Sequence, residues 1–201
     1  MEITKSDNGQ QLQVLERVLG AATEEASQAM SVWTGGSISL SLDCVREMPL
    51  EMVTQEFDLG MDLLTMVVLT IEGEIGGTMI LTFDEENGRR LAATLLGQEV
   101  SNDPLWSAYE QSALNETGNI LGCAYFNAIA RLVNCEFVPS PPTFLQDYGV
   151  CVLQHALMDQ AQDAMDVLIC QTTFLQGNEK LNWNILFVPD PKMRNTLRSV
   201  M

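Results

Sequence analysis

The sequence predicts an α+β domain of duplicated, pseudo-two-fold construction, an antiparallel sheet with two long helices packed on it. Three observations carry that reading. The segment Met61–Gly73 recurs as Met165–Gly177: both begin Met-Asp, both end in Gly, and the offset is 104 residues throughout. Each copy runs on into a second apolar stretch, Gly77–Phe83 in one half and Leu181–Val188 in the other, and then into a short helical segment. Each half also begins with a long pattern of helical period.

The first long helix spans about Leu12 to Trp33, with Leu12, Leu15, Val18 and Leu19 at helical spacing and Gly35-Gly36 closing it. An extended segment follows, Ser37–Met48, whose SISLSL run alternates as a half-buried strand does, and Pro49 ends it. Asp84–Gly97 and Asp190–Met201 are the short helices, with Asp84 and Asp190 as N-caps and Pro191 at the first helical position. Leu91 and Leu197 match at an offset of 106, so the repeat drifts by small insertions. The second long helix spans about Leu105 to Val133, with Asp103 as candidate cap and Pro104 in its first turn. Cys135–Val138 is the matching extended segment, running into Pro139, Pro141 and Pro142. Gln98–Asp103 joins the halves and is too short to separate freely moving domains. The expectation is a single domain over residues 1–201, made of repeats at about 10–97 and 103–201.

Composition narrows the chemistry. The chain has 201 residues, with 27 acidic against 10 basic side chains and a net charge of −17. Between Arg46 and Arg89 there are ten Asp or Glu and no Lys or Arg. A chain this negative is repelled by the phosphate backbone and by anionic lipid. The acidity reads either as a solvated face or as a surface that attracts a partner's lysine. The one histidine, His155, excludes a multi-histidine metal site and reads as a structural or surface residue. The cysteines Cys44, Cys123, Cys135, Cys151 and Cys170 are never closer than twelve positions, so there is no CxxC pair. Met1–Gln10 is polar and no signal peptide is recognisable, so five reduced thiols in a cytoplasmic protein are expected. The longest apolar run, about Leu63–Ile71, is too short to span a membrane.

The chemistry-bearing residues lie on the second long helix. Each helical residue advances roughly 100°, so with Ser112 at zero, Glu116 falls at about 40°, Asn119 at about −20° and Cys123 at about 20°. Leu114, Leu121, Tyr125, Ala128 and Leu132 fall on the opposite side. One carboxylate and one carboxamide thus project together from a rigid element. An Asn amide has no useful pKa, but its oxygen can accept from a water while its nitrogen donates to an oxyanion. Water positioning for attack on a phosphoryl group needs no more than that. The Glu can pair with a partner's lysine. Ser, Glu and Asn also occur on any solvent-facing helix, so spacing alone leaves both readings open.

These residues resemble the signature of the CheC-type chemotaxis phosphatases, the family of CheC, CheX and FliY. That signature is Asp or Ser, three residues, Glu, two residues, Asn, twenty-two residues, Pro. Ser112, Glu116, Asn119 and Pro142 occupy its four fixed positions. TGNILGCAYFNAIARL resembles the family's stretch after the glutamate, and VPSPP its proline turn. The resemblance implies a CheC-like fold and, as substrate, the phosphorylated aspartate of a CheY-like response regulator. Asn119 would place the attacking water and Glu116 would pair with the regulator's active-site lysine. The regulator would supply the bound Mg²⁺, with no cofactor held by this chain. Ser112, Phe126 and Pro142 are the expected partner contacts.

The first half departs from the pattern. Glu16 is followed three residues later by Leu19, and Leu12 stands four residues before it. Leucine cannot orient a water, so one working centre is expected. Gln28, three after Glu25, lacks the rest of the motif. The resemblance also leaves a non-catalytic alternative, an adaptor that binds a CheD-like deamidase or a flagellar switch partner. The sequence does not name the regulator.

Overall fold

No proline interrupts the chain ahead of Leu12, and the first helix starts well before that residue. In the computed structural model, which describes residues 4–49, 52–53, 63–73, 75–149, 151, 166–181 and 183–200, α1 spans Thr4–Trp33. Leu15, Leu19, Ala22, Ala26 and Met30 recur at helical spacing and are all buried. Gly35 and Gly36 end it with φ of 62° and 86°, a left-handed turn that favours glycine.

Strand β1 is Ile38–Pro49, with Ile38 and Leu40 inward and Ser39 and Ser41 outward. β2 (Leu63–Glu72) and β3 (Gly77–Phe83) form an antiparallel hairpin. Every residue of β3 is buried, because it lies between β2 and β8 (Trp183–Pro189). α2 is Glu85–Leu96; the Asp84 side chain caps it by accepting from Asn87 N–H at 2.7 Å, and Gly97 closes it in the left-handed conformation. After α3 (Ala108–Val133) come β4 (Val138–Pro139), β5 (Thr143–Tyr148), β6 (Asp166–Gln176) and β7 (Glu179–Leu181). The closing helix α4, Pro191–Val200, is capped by Asp190, which accepts from Met193 N–H at 2.6 Å.

Four more particulars differ from the sequence reading. α3 begins at Ala108, not near Leu105, and its cap is Ser107 rather than Asp103. Ser107 wins because Glu110, three residues on, returns the hydrogen bond and completes a capping box. Asp103 instead accepts from Leu105 N–H at 2.9 Å in the preceding turn. The extended segment Cys135–Val138 contributes only Val138 to a strand, and β5 appears beyond the prolines. The run Leu181–Val188 is divided: Leu181 pairs with β6, while Trp183 onward pairs with β3. His155 and Met165 lie outside the described residues.

The described strands form two ladders, β1-β6-β7 and β4-β2-β3-β8 with β5 also on β2. β6 runs beside β8, so the ladders abut. Both ladders join strands of one half to strands of the other. Their registers correspond: Ile38 faces Gln176 and Val138 faces Glu72, Cys44 faces Gln171 and Phe144 faces Val67, Glu47 faces Leu168 and Asp147 faces Leu64. A shift of 100 residues in one strand and 104 in its partner converts each first pair into the second. Each half even carries one extra residue at the same place. In β1 it is a bulge between Leu42 and Cys44; in the second half it falls in Ser140–Pro142, where β4 gives way to β5. Ser140 bridges that break, its N–H donating to Thr70 O at 2.8 Å and its Oγ accepting from Thr70 N–H at 3.0 Å.

The main core fills the space between the helices and the strands. α1 and α3 lie side by side and are joined through it by hydrogen bonds. Tyr125 Oη sits 2.6 Å from Thr23 Oγ1 and 2.9 Å from Thr172 Oγ1 on β6. Burial pushes the Tyr125 hydroxyl well above its usual range and the neighbouring Cys170 thiol up to about 12, so both stay protonated. A smaller cluster, Val53, Met66, Ile80, Ile169, Leu186 and Val188, is separate from this core.

Candidate functional site

The site is the outward arc of α3, and its position is set by how closely that helix approaches the sheet. A Cβ on Gly118 would stand 2.4 Å from Val67 Cγ1, and one on Gly122 would stand 2.9 Å from Leu69 Cδ2. Two glycines one turn apart therefore let the helix press onto β2 and β3. Leu114, Thr117, Leu121 and Tyr125 are buried on the inner side. Ser112, Glu116, Asn119 and Cys123 lie on the side turned away from them.

The start of α3 is fastened to α2 by a buried ion pair. Arg89 Nη1 lies 3.0 Å from Glu110 Oε1, with both side chains nearly excluded from solvent. Arg89 also donates to Asp103 O at 2.7 Å and its guanidinium lies 4.0 Å from the centre of the Trp106 ring. Burial alone would raise the Glu110 carboxyl. Hydrogen bonds from Ser107 N–H and hydroxyl and from Arg89, with the guanidinium charge, more than offset that and hold it below the usual carboxylate range. At the other end, Arg131 pairs with Glu25 of α1 at 2.9 Å on the surface.

On this arc Ser112 and Glu116 are exposed, and Asn119 and Cys123 are half-buried. Among the described residues Glu116 has no ion-pair partner, so its carboxylate is available. Cys123 Sγ donates to Asn119 Oδ1 at 3.7 Å, a contact between two residues one helical turn apart. The helix thus brings Ser112, Glu116 and Asn119 onto one accessible face. Pro142 stands elsewhere, half-buried at the break between β4 and β5. Phe126, expected as a partner contact, is corrected to a core residue. It is only 2% exposed, with its ring 6.2 Å from that of Phe187 on β8. It lies at the edge of the arc, where the sheet already covers the helix.

The site lies on the outward face of a helix. Two open grooves, of about 710 and 580 Å³, lie beyond the C-terminal half of α3 around Cys135 and Glu136, and neither is lined by Glu116 or Asn119. No group of three His, Cys, Asp or Glu arranged to hold a metal occurs among the described residues, and no helix among them is long and apolar enough to cross a membrane.

The 100-residue correspondence extends back from the strands over the helices, since α1 ends at Trp33 and α3 at Val133. It sets Leu12 against Ser112, Glu16 against Glu116 and Leu19 against Asn119. Glu16 is exposed, but Leu19 is fully buried in the core. Sequence reasoning missed the Arg89–Glu110 pair, although Ser107 followed by Glu110 at capping-box spacing was its visible half.

No family model matches the chain. It is 22% identical over 199 residues to the CheY-P phosphatase CheC of Bacillus subtilis, covering 94% of this chain and 93% of that protein. Its structure resembles Thermotoga maritima FliY, with a TM-score of 0.70 and 16% identity over 100% of both chains. The FliM middle domain of Helicobacter pylori gives a TM-score of 0.66 at 14% identity over 96% of this chain and 98% of that one. The CheX–CheY–BeF3–Mg²⁺ complex of Borrelia burgdorferi gives 0.54 at 19% identity over 86% and 97%. The class is therefore the CheC-like α+β fold, with long helices laid on antiparallel strands. Within it, the chain is similar along nearly its whole length to chemotaxis proteins of the CheC/CheX/FliY type.

Proposed function

We propose that the chain hydrolyses the aspartyl phosphate of a CheY-like response regulator, from one active centre in the second repeat of a single two-repeat domain spanning residues 1–201. The observation that carries the reading is the accessible pair of Glu116 and Asn119 on α3, one carboxylate and one carboxamide three residues apart on a helix held against the sheet. Asn119 Oδ1 accepts a hydrogen bond from the attacking water, and its Nδ2 donates to a phosphoryl oxygen. The water oxygen bonds to phosphorus, the bond from phosphorus to the aspartate oxygen breaks, and the water's proton leaves with inorganic phosphate. Glu116 pairs with the regulator's lysine and fixes the approach. The Mg²⁺ that neutralises phosphoryl charge in such a reaction comes with the regulator. The chemistry belongs to the cytoplasm, where two-component regulators work.

The first-repeat centre is degenerate on this reading, because Leu19 stands where Asn119's counterpart would be and is packed inward. The similarity to a CheY-P phosphatase over nearly the whole chain supports the enzyme. The FliM likeness favours a second reading, a non-catalytic adaptor for a switch partner. Phosphate release from a phosphorylated CheY-like regulator with Mg²⁺ separates them. The enzyme accelerates release, and Glu116→Ala slows it strongly while Glu16→Ala leaves it near the unaltered rate. An adaptor binds its partner and leaves the rate unchanged.

A further inference from the structure

Two large apolar side chains stand in water beside the site. Leu105 is 76% exposed and Tyr109 is 78% exposed, at the turn that enters α3 and in its first turn. The backbone that carries them is held unusually firmly for a surface segment. Arg89 donates to the carbonyls of Asp103 and Leu105, at 2.7 and 3.4 Å, from a buried position. Leu105 N–H is taken by Asp103, and Tyr109 is followed by Glu110, which is locked to Arg89 and Ser107. Rigid display of an apolar side chain lowers the ordering entropy that binding would otherwise cost.

Tyr109 also shares the arc of the site. It lies seven residues before Glu116 and ten before Asn119, about 10 and 15 Å along the axis, and about 20° around the helix from Glu116. A standard interface covers roughly 800 Å² on each partner, a patch about 30 Å across. A domain centred on Asn119 to deliver a phosphoryl group there therefore reaches Tyr109 at its edge. The 100-residue correspondence adds an independent point: opposite Leu105 and Tyr109 the first repeat has Lys5 and Gly9, so the half with leucine at position 19 lacks the apolar pair as well.

We propose that Leu105 and Tyr109 are the apolar docking contacts for the receiver domain whose phosphoaspartate reaches Asn119. This rests on the phosphatase reading and names where the substrate's affinity resides: a receiver surface with an apolar patch about 15 Å or more from its acyl phosphate.

The test titrates a CheY receiver domain loaded with Mg²⁺ and beryllofluoride into the unaltered protein, into the double variant Leu105→Ser with Tyr109→Ser, into Asn119→Ala, and into Val32→Ser, a change at a residue 85% exposed on α1. The double variant is expected to bind ~30-fold more weakly, the loss typical of a hot-spot aromatic, with KM raised and kcat preserved at saturation. Its melting temperature stays within a few degrees of the parent, and Val32→Ser binds normally. Asn119→Ala keeps its affinity and loses kcat. Affinity within twofold of the parent in the double variant overturns the docking assignment while leaving the phosphatase reading intact. No binding to the unaltered protein, or full activity in Asn119→Ala, overturns that reading and the docking assignment with it.

Discussion

Replacing Gly118 with alanine sets two effects of opposite sign against each other. On helix propensity alone the change stabilises by about 1 kcal/mol, because glycine is the poorest helix former after proline. The new methyl, however, would stand 2.4 Å from Val67 Cγ1 and 3.2 Å from Val67 Cβ. Carbon pairs settle at about 3.5–4.0 Å, so the gap is short by more than 1 Å at Cγ1. Val67 is fully buried and β-branched, which leaves it no free rotamer to retreat to, and its Cβ cannot move without β2. Overpacking of this kind costs about 1–3 kcal/mol, so the net outcome is destabilisation of up to about 2 kcal/mol. The helix relieves the rest by moving outward, and Asn119, the next residue, moves with it. A displacement near 1 Å at a positioning group lowers kcat by about 100-fold. Urea unfolding and phosphate release on the same variant measure both. The double variant Gly118→Ala with Val67→Ala removes the clashing methyl and recovers most of the rate. Stabilisation by Gly118→Ala with unchanged kcat would refute the reasoning, since propensity would then have won and the close approach would be unimportant.

Three further outcomes follow from the packing. Glu110→Gln strands the buried Arg89 charge and costs about 3 kcal/mol in urea unfolding at pH 7. Since the folded Glu110 carboxyl is held below its unfolded value, its contribution is present above the unfolded pKa of about 4.3 and disappears as pH falls through the folded value. The variant therefore loses part of the parent's acid sensitivity, and parallel acid titrations of stability check this. Leu19→Asn, which restores the motif's residue in the first repeat, buries an amide in place of a core leucine. It destabilises by about 3 kcal/mol and adds no phosphatase activity, as phosphate release from the Leu19→Asn, Asn119→Ala double variant shows. Tyr125→Phe removes the hydroxyl shared by Thr23 and Thr172, costs about 1 kcal/mol and leaves kcat unchanged.

Much of the arrangement was legible because its physics is local. Asp84 and Asp190 cap their helices as read, the Gly35-Gly36 pair ends α1, and the stripe of Ser112, Glu116 and Asn119 follows from helical geometry. The matched offset segments became matched strands because a repeated apolar pattern must be buried in a repeated way. What was not legible depends on contacts between distant residues. Phe126 lies near the stripe in angle but under Phe187 in space, and no spacing rule sees the sheet above it. Asp103 and Ser107 are both good caps. Ser107 prevails through Glu110 and Arg89, a partner in another helix. β5 was hidden behind Pro139, Pro141 and Pro142, which break the ladder with β2 for three residues and then let it resume. The division of the run at Leu181 and Trp183 reflects which neighbour each segment finds.

The most direct measurement is the decay of a radiolabelled acyl phosphate on a CheY-like regulator at saturating concentrations of this protein, with Asn119 present or replaced by alanine. With Asn119 in place the decay is faster than the regulator's own. In Asn119→Ala it returns to the regulator's unassisted rate while the affinity for the beryllofluoride-loaded regulator is retained. Undiminished acceleration in Asn119→Ala would contradict the assignment of the attacking water to α3.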